Sequence, residues 1–297
     1  VKRQSGVAVI MAMLVVALSV LLVAGAFHRQ SAMARQVENE VAYAQARLLL
    51  LGAIDWARVI LNEDARTSAV DHAGEPWAVS LEQTRLDNDS GDPAFIAGAV
   101  QDAQSRFNLR NLSGPNGPIA SEVAALARLL DVVGANPMLA EPLALRVHAA
   151  VNPARREAGG FAVLPATVDE IVPAGAAERD ALDRLRPFVT LLPEPSRINA
   201  NTAPAEVLAA RLEDLTLADA RRLVASRDRA HFRDVNDILT RLDGVRPAGS
   251  LGQLGVDTQF FHLAGVVEFR RAHVQAQVLL KREAGRVEVV WMQDAAQ

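Results

Sequence analysis

The stretch SGVAVIMAMLVVALSVLLVAGAFHRQ, Ser5–Gln30, decides how the rest of the chain is organised. No charged residue stands between Val7 and Phe27. About 21 residues at ~1.5 Å each give roughly 31 Å of helix, enough to cross the hydrocarbon core of a bilayer. Lys2 and Arg3 precede the run, and the positive-inside rule holds that end in the cytoplasm and sends the remainder outward. No second run of this kind follows, so the expectation is a single crossing.

Three fates fit such a run. It reads as a secretory signal peptide cut after the A-x-A-like triplet Ala24-Gly25-Ala26, as a plain signal anchor, or as a prepilin-type segment from which a short basic leader ending at Gly6 is removed while the apolar helix stays. The sequence beyond the run bears on the choice. From His28 to Leu61 there is no proline and one glycine, Gly52, while Val37, Val41, Ala44, Leu48, Leu51, Ile54, Trp56 and Ile60 recur at helical spacing. A cleaved signal ends in a break; this pattern predicts one helix from Val7 to Leu61. Its second half is amphipathic and requires a surface to pack against.

Half of the residues are hydrophobic and the net charge is −4, which describes a folded chain with no overall attraction to nucleic acid or anionic lipid. Cysteine is absent, so stability rests on packing or on bound ions and partners rather than disulfides.

Three regimes follow the long helix. WAVSLEQTRL and FIAGAVQDAQSRFNL, separated by the turn-rich DNDSGDP, alternate as two or three strands. From about Asn111 to Gly255 the pattern is helical, punctuated by SGPNGP, GANP, NPARREAGG, VPAG and LPEP. From Phe260 to Met292 the segments HLAGVVEFRR, HVQAQVLLKR and RVEVVWM are again strand-like, with Glu283-Ala284-Gly285 at the last turn. Strands on both sides of a helical block predict an α+β fold: one sheet interrupted by a large all-α insertion, with the N-terminal helix packed on the sheet. A weak internal echo runs through the block, RFNLRNL against RINANTAPAEVLAA and FAVLPATVDEIV against HFRDVNDIL, as a duplicated helical-hairpin unit would produce.

Catalytic signatures do not emerge. The six histidines have no second ligand at i+3 or i+4, and there is no G-x-S-x-G, P-loop or G-x-G-x-x-G. The reading is not that of an enzyme. The cluster Asp87-Asn88-Asp89-Ser90-Gly91-Asp92 packs oxygen ligands into a turn as calcium prefers, but glycine is one place early for an EF-hand and the closing Glu is missing. Asp87, Asp89 and Asp92 are the candidate calcium ligands, and a plain polar turn is the competing reading.

The stretch RINANTAPAEVLAARLEDLTLADARRLVASRDRAHFRDVNDIL reads as a helix capped by Thr202, with Pro204 and Glu206 in its first turn. It resembles the helix-hairpin-helix units of DNA-uptake receptors, whose glycine hairpins present backbone N–H groups to phosphates. The equivalent turn, LEDLTLADA, has no glycine and carries acids, and Glu213, Asp214, Asp219, Asp228 and Asp234 surround Arg221, Arg222, Arg227 and Arg229. The scaffold reads as kept and the nucleic-acid contact as lost.

Glycine before an apolar helix (SGVAVIMAMLVVALSVLLV), the continuation ARLLLLGAIDWARVIL, the exit RFNLRNL and the motif RINANTAPAEVLAA, in that order, resemble the K-type minor pseudopilin of bacterial type II secretion, the general secretion pathway protein K family. That resemblance implies a leader over 1–6, a transmembrane helix over 7–27 and its amphipathic continuation over 28–62. It then implies the first part of a pilin-like sheet over 63–110, an α-helical insertion over 111–257 with the helix-hairpin-helix-like unit at about 197–242, and final strands over 258–297. It implies cleavage by a prepilin peptidase between Gly6 and Val7 and methylation at Val7. Ordinary pilins carry a glutamate five places after the cut; this chain has Met11, as befits a subunit with no neighbour above it. The implied partners are other minor pseudopilins in a tip complex, the peptidase, the inner membrane that anchors a periplasmic head, and the secretin or secreted substrates. Calcium in the head is a further implication. A membrane-anchored DNA-binding receptor and a type IV pilus-like minor pilin are the alternatives.

Overall fold

In the computed structural model the described residues are 5–87, 91–151, 165–171, 173–242 and 251–294. One helix, α1, runs from Ser5 to Thr67. Nothing interrupts it because its interior lacks proline and holds two glycines past the first turn, Gly25 and Gly52, neither with another atom near its missing Cβ.

After α1 come β1 (Leu81–Leu86) and β2 (Ala94–Asp102), then the helical block, then β3 (Phe260–Phe269), β4 (Ala272–Glu283) and β5 (Arg286–Asp294). The five strands form one antiparallel sheet in the order β1-β2-β3-β4-β5. The β4–β5 hairpin turns through Ala284 at φ 49° and Gly285 at φ 76°, two consecutive left-handed residues of the kind that matches strand twist. Strand β2 meets β3 with Ala94 opposite Phe269 and Asp102 opposite Phe261, so the helical block enters and leaves at one end of a strand pair.

The expected strand beginning at Trp77 is corrected: Pro76–Ala78 is a short 3-10 turn that buries Trp77, and the strand starts at Leu81. Proline at the head of that turn explains the difference, since it cannot donate into a ladder.

The predicted packing face of α1 is also corrected. Ala42, Ala46, Leu50, Ile54, Ala57 and Leu61 are buried against the sheet, whereas Val37, Val41, Leu48 and Trp56 of the expected series are exposed. Small side chains win the inner face because the helix approaches the sheet closely. A Cβ added to Gly265 would stand 3.0 Å from Leu50 Cδ1, so glycine is what lets α1 settle there.

The insertion contains α2 (Ala120–Val132), α3 (Ala140–Val151), α4 (Ala176–Leu185), α5 (Ala205–Arg211), α6 (Leu217–Arg229) and α7 (Val235–Thr240). It has its own core, in which Phe107, Leu126, Leu129, Leu130, Leu185 and Phe232 are almost wholly buried. Arg211 and Glu122 tie α5 to α2 inside that core through two bonds of 2.7 Å.

The internal echo has a structural counterpart. Phe107–Asn108 pairs in parallel with Val189–Thr190, and Ile198–Asn199 pairs in parallel with Leu254–Gly255. In each case the asparagine Oδ1 accepts from the backbone N–H two residues on, Asn108 from Arg110 and Asn199 from Asn201. The third strand expected at RFNL is therefore only this two-residue pair. Of the second echo, residues 161–164 and 172 lie outside the described residues, and the remainder compares the 3-10 turn Val168–Glu170 with α7.

Candidate functional site

Three features carry the chemistry of this chain: α1, the joint between sheet and insertion, and the surfaces of the insertion. The Gly6–Val7 bond lies within the first turns of α1. Val7 and Met11 are both exposed, and every residue from Val9 to Phe27 is exposed as well. The helix is long and apolar enough to cross a membrane, and its most apolar stretch is unburied. Among the described residues none of the head covers it, an exposure suited to lipid or to other helices.

Past the membrane-length segment α1 has two apolar faces. One is the alanine-rich stripe buried on the sheet. The other, Val37, Val41, Leu48, Leu51 and Val59, is exposed and continues the line of Phe27 and Met33 down the helix. A helix that needed only to cover its own sheet would put polar residues there. Sequence reading picked out most of this second stripe but assigned it to the sheet, because hydropathy ranks valine and leucine above alanine.

The joint is built from the RINANT motif. Asn199, wholly buried, donates to Asp102 Oδ2 at 2.7 Å and to the Asp71 carbonyl at 3.0 Å. Thr202 Oγ1 donates to the same Asp102 oxygen at 2.5 Å, and Gln104 N–H donates to Asp102 Oδ1 at 2.7 Å. The expected cap is thereby corrected: Thr202 serves Asp102, and α5 begins after Pro204, which gives it no side-chain cap. Burial raises the Asp102 carboxyl to about 6, against the pull of Thr202, Asn199 and Gln104, which favour its ionised form. Asn201 clamps Phe232 from both sides, accepting from its N–H at 2.7 Å and donating to its carbonyl at 3.0 Å. The motif thus holds the end of β2, the loop after α1 and the α6–α7 turn in one network.

Next to the joint sits a buried carboxylate group that sequence reading missed. Asp64, Asp71 and Glu75 bring oxygens within 4.8 Å of one another, the one such group among the described residues. Arg282 of β4 donates to Asp64 at 3.0 Å and also to Asp71 and the Thr258 carbonyl, while Glu75 accepts from Trp77 Nε1 at 2.8 Å. Burial, then the charge of Glu75, raises Asp64 to about 6; burial raises Asp71 as well. Each carboxylate already has a donor, and the arrangement pins the end of α1 to β4. Only the pairing of α1 with a strand more than two hundred residues later reveals it, which no local spacing announces.

The candidate calcium ligands are not brought together among the described residues. Asp87 pairs with Arg85 at 2.7 Å, Asp92 pairs with Arg270 at 2.7 Å, and Asp89 lies outside the described residues. The arginines of the helix-hairpin-helix-like unit are likewise engaged. Arg222 pairs with Asp219, Arg221 approaches Glu206 at 3.9 Å, Arg229 Nε donates to the Ala225 carbonyl, and Arg227 donates to the carbonyls of Ala200 and Ala203. The turn between α5 and α6 passes through Asp214 at φ 69° and enters α6 by a Thr216–Asp219 capping box. Carboxylates occupy the place where a phosphate-binding hairpin presents bare N–H groups.

Comparison with known proteins agrees with this anatomy. A family model described as type II secretion system protein K matches residues 198–257, which hold most of the RINANT joint together with α5, α6 and α7. The type II secretion system protein K of Pseudomonas aeruginosa is 28% identical over 97% of this chain and 92% of its own. That of Klebsiella pneumoniae is 27% identical over 97% and 95%. Among solved structures, a chain of the crystallised GspK–GspI–GspJ complex from the enterotoxigenic Escherichia coli type 2 secretion system superposes with a TM-score of 0.69 at 21% identity, covering 88% of this chain and all of that one. Similarity runs through the apolar helix, the sheet and the insertion alike, so the chain is similar over nearly its whole length to type II secretion system protein K.

Proposed function

We propose that this chain is a minor pseudopilin that sits at the tip of the type II secretion pseudopilus, where it starts and caps the filament together with I- and J-type subunits. Its role is structural and not catalytic. Residues 1–6 are removed by a prepilin peptidase, Val7 becomes the methylated N-terminus, and α1 holds the protein once across the inner membrane with the head in the periplasm. The observation that carries this reading is the second apolar stripe of α1, Val37, Val41, Leu48, Leu51 and Val59, exposed on the side away from its own sheet. Such a stripe, continuous with a membrane-length apolar helix, suits lateral packing against other long helices. Met11 in place of a carboxylate removes the cost of a buried charge in lipid and the partner that a subunit above would supply. The insertion, standing where two strands would otherwise turn directly, widens the head and leaves room for one such subunit at a tip.

The test is coexpression of the full chain with an active or an inactive prepilin peptidase and with its I- and J-type partners. The expected result is a methylated Val7 terminus only with the active enzyme, and recovery of all three subunits together. An N-terminus at Phe27, or a chain recovered alone under both conditions, overturns the reading.

A further inference from the structure

The face of the sheet turned away from α1 holds a polar pocket that the tip reading does not use. It encloses about 240 Å³ between Ala99, Gln101, Arg106, His262, Ala264 and Gln277. Register explains the hollow: Ala99 stands opposite Ala264, and Ala264 opposite Gln277, so two small side chains floor the depression while carboxamides rise at its rim. Arg106 is fixed at one wall because its neighbour Phe107 is buried in the insertion core.

The guanidinium of Arg106 is half-buried, and burial lowers its pKa, yet it stays charged because no protein environment deprotonates arginine near neutrality. Among the described residues it meets one oxygen, Gln101 Oε1, at a long 3.5 Å. No carboxylate of the described residues pairs with it. Three other sheltered arginines each hold a carboxylate: Arg211 binds Glu122, Arg282 binds Asp64 and Asp71, and Arg146 binds Glu178. His262 adds no second charge at neutral pH, since burial and then the charge of Arg106 hold it down at about 4, and its Nε2 lies 3.3 Å from Thr190 Oγ1. The pocket therefore offers one planar five-donor fork, one neutral imidazole and two carboxamides. That set matches the flat, singly charged carboxylate, whose one charge a single guanidinium balances, whereas a phosphate near neutrality carries more charge than this one cation offsets.

We propose that this pocket is a carboxylate-binding site in which Arg106 grips both oxygens and Gln101 and Gln277 orient them. The space admits a whole glutamate or aspartate side chain, and the open sheet around it would let a polypeptide lie across the opening. The proposal does not rest on the tip assignment, since it follows from the pocket's own donors.

Calorimetric titration of the full chain in detergent micelles at pH 7 tests it, with four probes: acetyl-Ala-Glu-Ala-amide, its glutamine counterpart, acetate and inorganic phosphate. The glutamate peptide is expected to bind saturably and at least tenfold more tightly than the glutamine peptide, and Arg106→Gln to lose at least tenfold. Gln277→Glu, which places a carboxylate beside Arg106 from the rim, is expected to block the peptide without lowering the melting temperature, so the result does not depend on Arg106→Gln folding. A peptide that binds more tightly than acetate assigns the ligand to a polypeptide; equal affinity assigns it to a small free acid. Glutamate and glutamine peptides that bind alike, phosphate that binds as tightly as the glutamate peptide, or variants that bind as wild type each overturn the proposal.

Discussion

Among the described residues the two largest apolar cores are built on opposite plans. The core under α1 joins the helix to strands from both ends of the chain, so Leu50 and Ile54 lie with Ile96, Val267 and Val278. The core of the insertion is assembled from one continuous part of the sequence, from Phe107 to Leu254. Polar groups join them: Asp102, Asn199, Thr202 and Gln104 span the boundary. Hydrogen bonds are directional where apolar contact is not, so the joint fixes orientation between two units that each supply their own burial.

The strongest way to break one unit and spare the other is Glu122→Ala. It leaves the buried Arg211 without its bidentate partner, and loss of one member of such a pair costs about 3–5 kcal/mol. Trp56, Trp77 and Trp291 all lie outside the insertion, so tryptophan fluorescence reports the sheet unit while circular dichroism reports the helices as well. The helical signal is expected to melt first in this variant, ahead of the fluorescence.

Asn199→Ala is expected to loosen the joint itself. It strips donors from Asp102 and from the Asp71 carbonyl, a loss of about 1–3 kcal/mol, and separates the two transitions in both probes.

A smaller effect distinguishes the two sides by pH. Asp102 has a folded pKa of about 6, above its ordinary 3.8, so folding favours its protonated form and stability falls as pH rises from about 4 to about 6. His262 has a folded pKa of about 4, below its ordinary 6.5, so its contribution is lost as pH falls through that interval. On acidification from pH 7 to pH 5, wild type should gain stability relative to Asp102→Asn and lose it relative to His262→Gln. Chemical denaturation of the three proteins at both values measures the opposed slopes.

The smallest expected change in stability is that of Leu48→Ser, within about 0.5 kcal/mol, because Leu48 is exposed on the outward stripe. Recovery with partner subunits is nevertheless expected to drop. The matched change on the inner stripe, Leu50→Ser, would instead weaken the sheet core, so the pair sorts assembly from folding.

Much of this was legible along the chain. The long helix follows from missing helix breakers, and the last hairpin follows from Ala284-Gly285. The helical block was marked by its proline and glycine punctuation. Three things were not legible. The inner stripe of α1 is alanine-rich and is visible only once Gly265 shows how near the sheet lies. Thr202 has the pattern of a cap but is claimed by Asp102, a hundred residues earlier. Arg282 completes the Asp64–Asp71 group from the far end of the sequence. Local periodicity records which face is apolar, and long-range register decides what meets it.

The late position of β3, β4 and β5 has a consequence for the order in which the molecule can mature. The inner stripe of α1 is made before the insertion, and Phe261, Val267, Val274 and Val278, which cover much of it, are made after it. A ribosome finishes the insertion while that stripe is still bare. The insertion, drawing on one stretch of chain, can close early and wait. The stem stays incomplete until β3, β4 and β5 arrive, and this makes those strands the step that commits the two units to one fold.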